Sequence, residues 1–427
     1  MSKETMIRRA LIGISLAAVG AVWAGEEFNG YSLEQSRAFH KEWNLDDWDE
    51  GGPLMRYVFL NMSEFWNHSL IARGGQTREL QNESRDDVAA FVTSTARGEM
   101  PLAEYVDDST VNGVIVLHRG KIVFEEYPRM LPGDMHNYMS ISKGFTATLV
   151  ALLEERQLID VDRTIETYLP SLKGSGWDGV PVLDILDMAS GIGCLEGDVN
   201  AYTDPDHCYY QFEASLGWVR PTAATPASTY EYMATLESHR APGERFEYTS
   251  PDTFVLGWLA ESVTGRMYAD LLSSEIWQKI GAESDAIITA PRRGVPIAHG
   301  GISSTLRDLA RFGLAFTPSG RTNPGPLISD AYLDRIQKGG RPEIFNDGRE
   351  DDPQTVDGEA ARHNSYQWDF VMEDGDFFKG GFGGQGLYIS PSRDLVVAFF
   401  GTFDENHRGH EMTRIARQLA KSGLFDQ

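Results

Sequence analysis

NYMSISKGFTATLVALLEERQ, residues 137–157, sets a serine, Ser140, three residues ahead of a lysine, Lys143, at the mouth of a helical pattern. Phe145, Leu149, Leu152 and Leu153 recur at i, i+4, i+7 and i+8, the period of a helix beginning near Ser142. What flanks this helix decides the architecture. Upstream, VNGVIVLH, the turn RGK and IVFEEY read as a β-hairpin, with β-branched runs on either side of a glycine-containing turn. Downstream, residues 155–300 are mostly helical patterns broken by Pro and Gly, among them RTIETYLPSL, VLDILDMASG, YEYMATLESH and MYADLLSSEIWQKIG. GGISSTLRDLARFGLAF adds a helix with a capping-box-like start at Thr305 and Asp308. GQGLYIS, the turn PSRD and LVVAFFGT form a second hairpin, and EMTRIARQLAKSGL a closing helix. Strands near both ends with helices between them do not alternate β-α-β, which argues against a doubly wound parallel sheet. The expected fold class is α+β: one antiparallel sheet built from N- and C-terminal segments, flanked by helices, with a mostly helical inserted subdomain.

The chain has 427 residues, 41% of them hydrophobic, enough for a large core. Its formal net charge of −25 repels phosphate backbones and anionic lipid, so nucleic acid is not an expected partner. Residues 1–24 read as a secretory signal: Lys3, Arg8 and Arg9, then the apolar ALIGISLAAVGAVWA, then small residues before GEE. The apolar run is short for a membrane span, which needs roughly 20 residues. A periplasmic or secreted location follows, with no stable membrane association once the signal is cleaved. Two cysteines, Cys194 and Cys208, make a disulfide plausible in such a protein. No second Cys or His pair completes a zinc site beside His207 and Cys208.

Three segments carry chemistry. On a helix Ser140 and Lys143 share a face, so a lysine with a lowered pKa can take the serine proton, and the N–H of Ser140 points at an incoming carbonyl. In APGERFEYTSPDTFVLGWLAESVTG, Tyr248 stands just before a helix, where a phenol can relay a proton to a leaving group. Ser250 followed by Pro251 reads as an N-cap and first helical residue. In FFKGGFGGQGLYISP, Lys379 precedes a glycine-rich strand start that permits close approach of a ligand to the backbone. No Gly-x-Ser-x-Gly elbow occurs. HRGHEM, residues 407–412, matches neither zinc-protease pattern and reads as a surface loop opening the last helix. His299 in AHGGISS is a candidate to line the cleft.

SISK, YTS and KGG, in that order, resemble the Ser-x-x-Lys, Tyr-x-Asn and Lys-Thr-Gly motifs of the penicillin-recognising serine hydrolases. The likeness is greatest to the class C β-lactamase-like branch, with its esterases and 6-aminohexanoate-dimer (nylon oligomer) hydrolases. LDMASGI and GGISSTLRDLARFG share it, and it runs from about residue 100 to 425. It implies Ser140 as nucleophile, Lys143 as its base and Tyr248 as acid/base for the leaving group. The backbone N–H groups of Ser140 and Phe382 would form the oxyanion hole, and Ser250, Lys379, Gly380 and Gly381 would meet substrate. Ser250 stands where Asn is usual in β-lactamases and Gly380 where Thr is usual. Both departures point away from lactams and towards esterase and amidase members. A cationic Lys379 would help keep Lys143 neutral.

The implied layout is a signal at 1–24, an N-terminal extension at 25–100 and a hydrolase domain at 101–425. Within that domain the sheet region is 101–160 and 300–425, and the helical region 160–300. The expected activity is hydrolysis of a small-molecule amide or ester through an acyl-enzyme on Ser140, with no metal or organic cofactor. A D-Ala-D-Ala carboxypeptidase, a β-lactamase, or a penicillin-binding-type sensor without turnover are the alternatives. A homodimer is compatible with the sequence. The segment CLEGDVNAYTDPDHCYYQFEASLGW, with Asp198, Asp204, Asp206, Tyr209 and Tyr210, is expected to form an acidic rim that favours an ammonium-bearing substrate.

Overall fold

The structure is a computed structural model that describes residues 28–322, 326–349 and 354–426. The signal expected at residues 1–24 lies outside the described residues. The main sheet has eight strands: β1 (Gln81–Asn82), β2 (Val111–His118), β3 (Lys121–Glu126), β4 (His363–Ser365), β5 (Trp368–Val371), β6 (Phe377–Gly381), β7 (Gln385–Ser390) and β8 (Leu395–Gly401). Their order is β4-β5-β6-β7-β8-β2-β3-β1. N- and C-terminal segments thus meet at the antiparallel β8–β2 pair, as the strand order in the sequence anticipates. Only β1, at the edge, joins in parallel. The first hairpin closes over Arg119 and Gly120, whose φ of 51° and 73° fit the two-residue turn that matches strand twist.

β8, and β2 from Val114 to Leu117, read as apolar runs because both faces of the sheet are covered. Ile115, Leu117, Val396, Ala398 and Phe400 face one core, and Val114, Val116, Leu395, Val397 and Phe399 the other, the two-residue period of a strand. Helix α1 (Ser142–Glu155) lies in the first core, where the Phe145 ring stacks on Phe312 of α3 (Leu306–Leu314) at 3.8 Å. Thr305 caps α3 by accepting from the Asp308 amide. Helix α4 (Met412–Lys421) covers the second face through Met412, Ile415, Ala416 and Leu419. Helix α2 (Ser250–Thr264) belongs to the helical region and packs on α1.

The structure departs from the expected elements at two places. Ser250 is not the N-cap: Thr249 takes the extended cap conformation, and Ser250 is the first helical residue, its hydroxyl directed elsewhere. RTIETYLPSL forms two short 3-10 turns, Ile165–Thr167 and Pro170–Leu172, because Pro170 cannot continue a helix.

A second, four-stranded sheet positions the serine. It joins His68–Ile71, Ala286–Thr289, Ile302–Ser304 and His136–Asn137. The Tyr138 amide donates to the Ile302 carbonyl at 2.8 Å, and the Met139 amide to the Asn137 side chain at 2.8 Å. Met139 then takes φ +46°, an unfavourable conformation for a side-chain-bearing residue, held by these bonds. Ser140 follows in a 3-10 turn, Met139–Ile141, that runs directly into α1.

Candidate functional site

Ser140, Lys143, Tyr248, Ser250, Lys379 and Phe382 come from distant segments and converge on one large cleft of about 1800 Å³. The fully buried Lys143 ammonium donates to Ser140 Oγ at 2.9 Å, to Ser250 Oγ at 3.0 Å and to the His299 carbonyl at 3.2 Å. Burial pushes Lys143 down to about 8. Glu196 opposes this, and Lys379 adds to it. The expectation that Lys379 keeps Lys143 neutral is therefore only part of the cause: burial leads, and Lys379 is itself tied to a carboxylate.

The Ser250 hydroxyl donates to Glu196 Oε2 at 2.5 Å, and Tyr209 Oη to the same oxygen at 2.6 Å. This orders the hydrogens around Lys143. Ser250 donates its only proton to Glu196, so it can only accept from Lys143. The His299 carbonyl also only accepts. A neutral Lys143 has two N–H bonds and one lone pair. The two acceptors take the N–H bonds, and the lone pair faces Ser140, the one partner able to donate. Glu196 was not singled out in the sequence. Its signal was a carboxylate two residues after Cys194, and the Cys194–Cys208 disulfide, with Cα atoms 5.7 Å apart, ties down that loop.

Tyr248 sits between the two lysines: its ring centroid is 5.0 Å from Lys143 Nζ and 4.7 Å from Lys379 Nζ. Its hydroxyl accepts from Lys379 at 3.1 Å. Burial, with Asp369 and Glu196 nearby, holds the phenol well above its ordinary range, so Tyr248 stays protonated. Lys379 pairs with Asp369 Oδ1 at 2.5 Å, and Asp369 Oδ2 accepts the Gly380 amide at 2.8 Å. Burial pushes Lys379 down and Asp369 pulls it up. Asp369 is a further residue that the sequence pattern did not reveal.

The strand β6 closes the side of the cleft next to the serine turn. A Cβ on Gly381 would lie 2.3 Å from the Tyr138 carbonyl, so only glycine lets β6 approach the serine turn this closely. Phe382, the next residue, lines the cleft and is 47% exposed. The Ser140 amide lies in the first helical turn, where N–H groups have no intrahelical acceptor.

The acidic wall differs from the expected rim. Asp198, Tyr209 and Tyr210 line the cleft. Asp204 and Asp206 do not; Asp204 instead accepts the Asp206 amide at 2.9 Å and shapes the loop. Their place is taken by Asp46, Asp49 and Glu50 of the N-terminal segment and by Glu213. Asp49 is pushed up to about 6 by burial and by the neighbouring Glu50 and Glu213. His299, also lining the cleft, meets Glu213 Oε1 through Nε2 at 3.1 Å. Residues 407–411 are a loop with one exposed end, but His410 is half-buried against Gly384 and Gly401. Among the described residues no group of three His, Cys, Asp or Glu is arranged to hold a metal.

A serine hydroxyl against a buried amine, with a protonated phenol above it and backbone amides at hand, is the site of a serine hydrolase. The chain belongs to the Beta-lactamase family, whose model matches residues 102–421. It is 31% identical over 368 residues to the 6-aminohexanoate-dimer hydrolase of Paenarthrobacter ureafaciens, covering 86% of this chain and 90% of that one. A Bacillus anthracis structure provisionally named as a 6-aminohexanoate-dimer hydrolase superposes with TM-score 0.76 at 22% identity, covering 89% of this chain and 95% of that one. The fold is shared with EstCE1, a hydrolase with promiscuous acyltransferase activity, at TM-score 0.57 and 16% identity, over 74% of this chain and 95% of that one.

Proposed function

We propose that this serine hydrolase cleaves a linear amide or ester through an acyl-enzyme on Ser140, and that its acyl chain ends in an ammonium group. The observation that carries the mechanism is the set of three bonds around Lys143, which leaves its lone pair for the Ser140 proton. Ser140 Oγ attacks the carbonyl carbon, and Lys143 takes the hydroxyl proton. The amides of Ser140 and Phe382 hold the developing oxyanion. Tyr248 donates its proton to the leaving nitrogen or oxygen, and the carbon–leaving-group bond breaks. Water then attacks the ester so formed, with the same groups run in reverse.

The substrate reading rests on the wall formed by Asp49, Glu50, Glu196, Asp198 and Glu213. Burial first, and then the neighbouring Glu50 and Glu213, raise Asp49, and an incoming cation would relieve the carboxylate part of that. Gly380 offers no hydroxyl, and its amide is committed to Asp369, so this position has nothing to offer a lactam carboxylate. Export is part of the reading: a disulfide suits an oxidising compartment, and residues 1–24 have signal composition. Rates on a free-amine ω-amino-acid dimer and on its N-acetylated form test the substrate class. A kcat/KM at least tenfold higher for the free amine is expected; equal rates, or a preference for the acetylated form, would contradict it.

A further inference from the structure

We propose that Gln385 is a positioning residue of the oxyanion hole, holding the turn that presents the Phe382 amide. The inference rests on the reading of that amide as an oxyanion donor. β7 and β8 pair from Ser390↔Leu395 to Gly386↔Phe399, and β6 and β7 close at Gly381↔Gln385. Beyond Phe399, the backbone of Gly401 meets a side chain: its N–H donates to Gln385 Oε1 at 3.0 Å, and its carbonyl accepts from Nε2 at 3.0 Å. A carboxamide has the donor and acceptor of a peptide, so Gln385 extends the ladder by one rung. Its second N–H goes to the Phe382 carbonyl at 2.9 Å, which uses both hydrogens of Nε2. Gln385 is 2% exposed, so water does not compete for these bonds.

The consequence falls on the Phe382 amide. The Gly381 carbonyl accepts from the Gly384 amide at 3.2 Å, inside the turn. A trans peptide points its N–H opposite to its C=O, so the Phe382 N–H turns outward. With the Phe382 carbonyl also drawn inward by Gln385, both peptides flanking this residue are fixed. Gly383 and Gly384 take φ of 88° and 103°, which glycine accommodates. His410 backs the turn: a Cβ on Gly384 would lie 2.8 Å from its Nε2. Its Nδ1 accepts the Met412 amide at 3.2 Å, so the neutral ring carries its proton on Nε2, towards Gly384.

Steady-state kinetics on a p-nitrophenyl ester, with melting temperatures, test this in three variants. Gln385→Met keeps the side-chain length and removes all three bonds. A kcat about tenfold lower at unchanged KM is expected, with the Lys143 limb of the pH profile unmoved, since only transition-state stabilisation is lost. Gln385→Glu faces two carbonyls with an acceptor until it is protonated, so its rate relative to the parent should rise as pH falls. Phe382→Pro deletes the donor and should cost kcat about a hundredfold. Full activity in Phe382→Pro overturns the donor reading and the inference with it. A large loss in Phe382→Pro with parental kcat in Gln385→Met overturns the inference alone. If Gln385→Met does not fold, a pH-independent ratio for Gln385→Glu overturns it.

Discussion

With Lys143 lowered to about 8, roughly one-tenth of the amine is neutral at pH 7. Only the neutral form can accept the Ser140 proton, so kcat/KM should rise with pH and level off above about 8. A profile flat between pH 6 and 9 would show that Lys143 is not the base. The Glu196 charge favours the ammonium form. Glu196→Gln should therefore move this limb to lower pH while lowering the plateau, because Ser250 no longer has to present an acceptor to Lys143. A limb displaced to higher pH would contradict the assignment. Tyr248 stays protonated, and its loss should matter most where the leaving group needs a proton. Tyr248→Phe is expected to slow amides by about a hundredfold or more, and p-nitrophenyl esters much less; equal losses would remove the acid role. Ser140, Lys143 and Tyr248 were legible from motif order. Glu196 and Asp369 were not: each acts through a hydrogen bond to a residue far away in the chain, and no local pattern marks such a partner.

At the scale of elements, the two hairpins, α1 and α4 followed from residue periodicity, because each must match a covered sheet face. Ser250 shows where local rules lose. Ser-Pro before an apolar run has the chemistry of a cap, yet burial beside Lys143 and Glu196 gives the hydroxyl stronger partners than a helix amide. The approach of β6 to the serine turn rests on Gly381. Gly381→Ala would put a methyl against the Tyr138 carbonyl, so β6 must shift and the Phe382 amide with it. Activity should fall about a hundredfold or more, at a much smaller cost in melting temperature; parental kinetics would show the two segments are looser than drawn here. The Cys194–Cys208 link closes a short loop, worth about 3 kcal/mol on a chain-entropy model. Since that loop carries Glu196, reduction should depress kcat as well as lower the melting temperature. A changed melting temperature with unchanged kcat would separate the disulfide from the site.

Over the whole molecule, the site exists only because segments near residues 140, 196, 248 and 380 are brought together by two sheets and the helices between them. The N-terminal segment takes part in both. His68–Ile71 joins the small sheet that carries the approach to Ser140, β1 pairs with β3, and Asp46, Asp49 and Glu50 form part of the cleft wall. Sequence patterns read this segment as mixed and gave no sign that its acids face the site, since the placement of the segment depends on distant contacts such as that of Trp48 with Trp218. Among the described residues no helix is long and apolar enough to cross a membrane. Whether this assembly makes one hydroxyl reactive is read by intact mass spectrometry after fluorophosphonate treatment. A single adduct that maps to Ser140, and is absent from Ser140→Ala with an unchanged melting temperature, is the predicted result. An adduct that persists in Ser140→Ala, or maps to another residue, would contradict it.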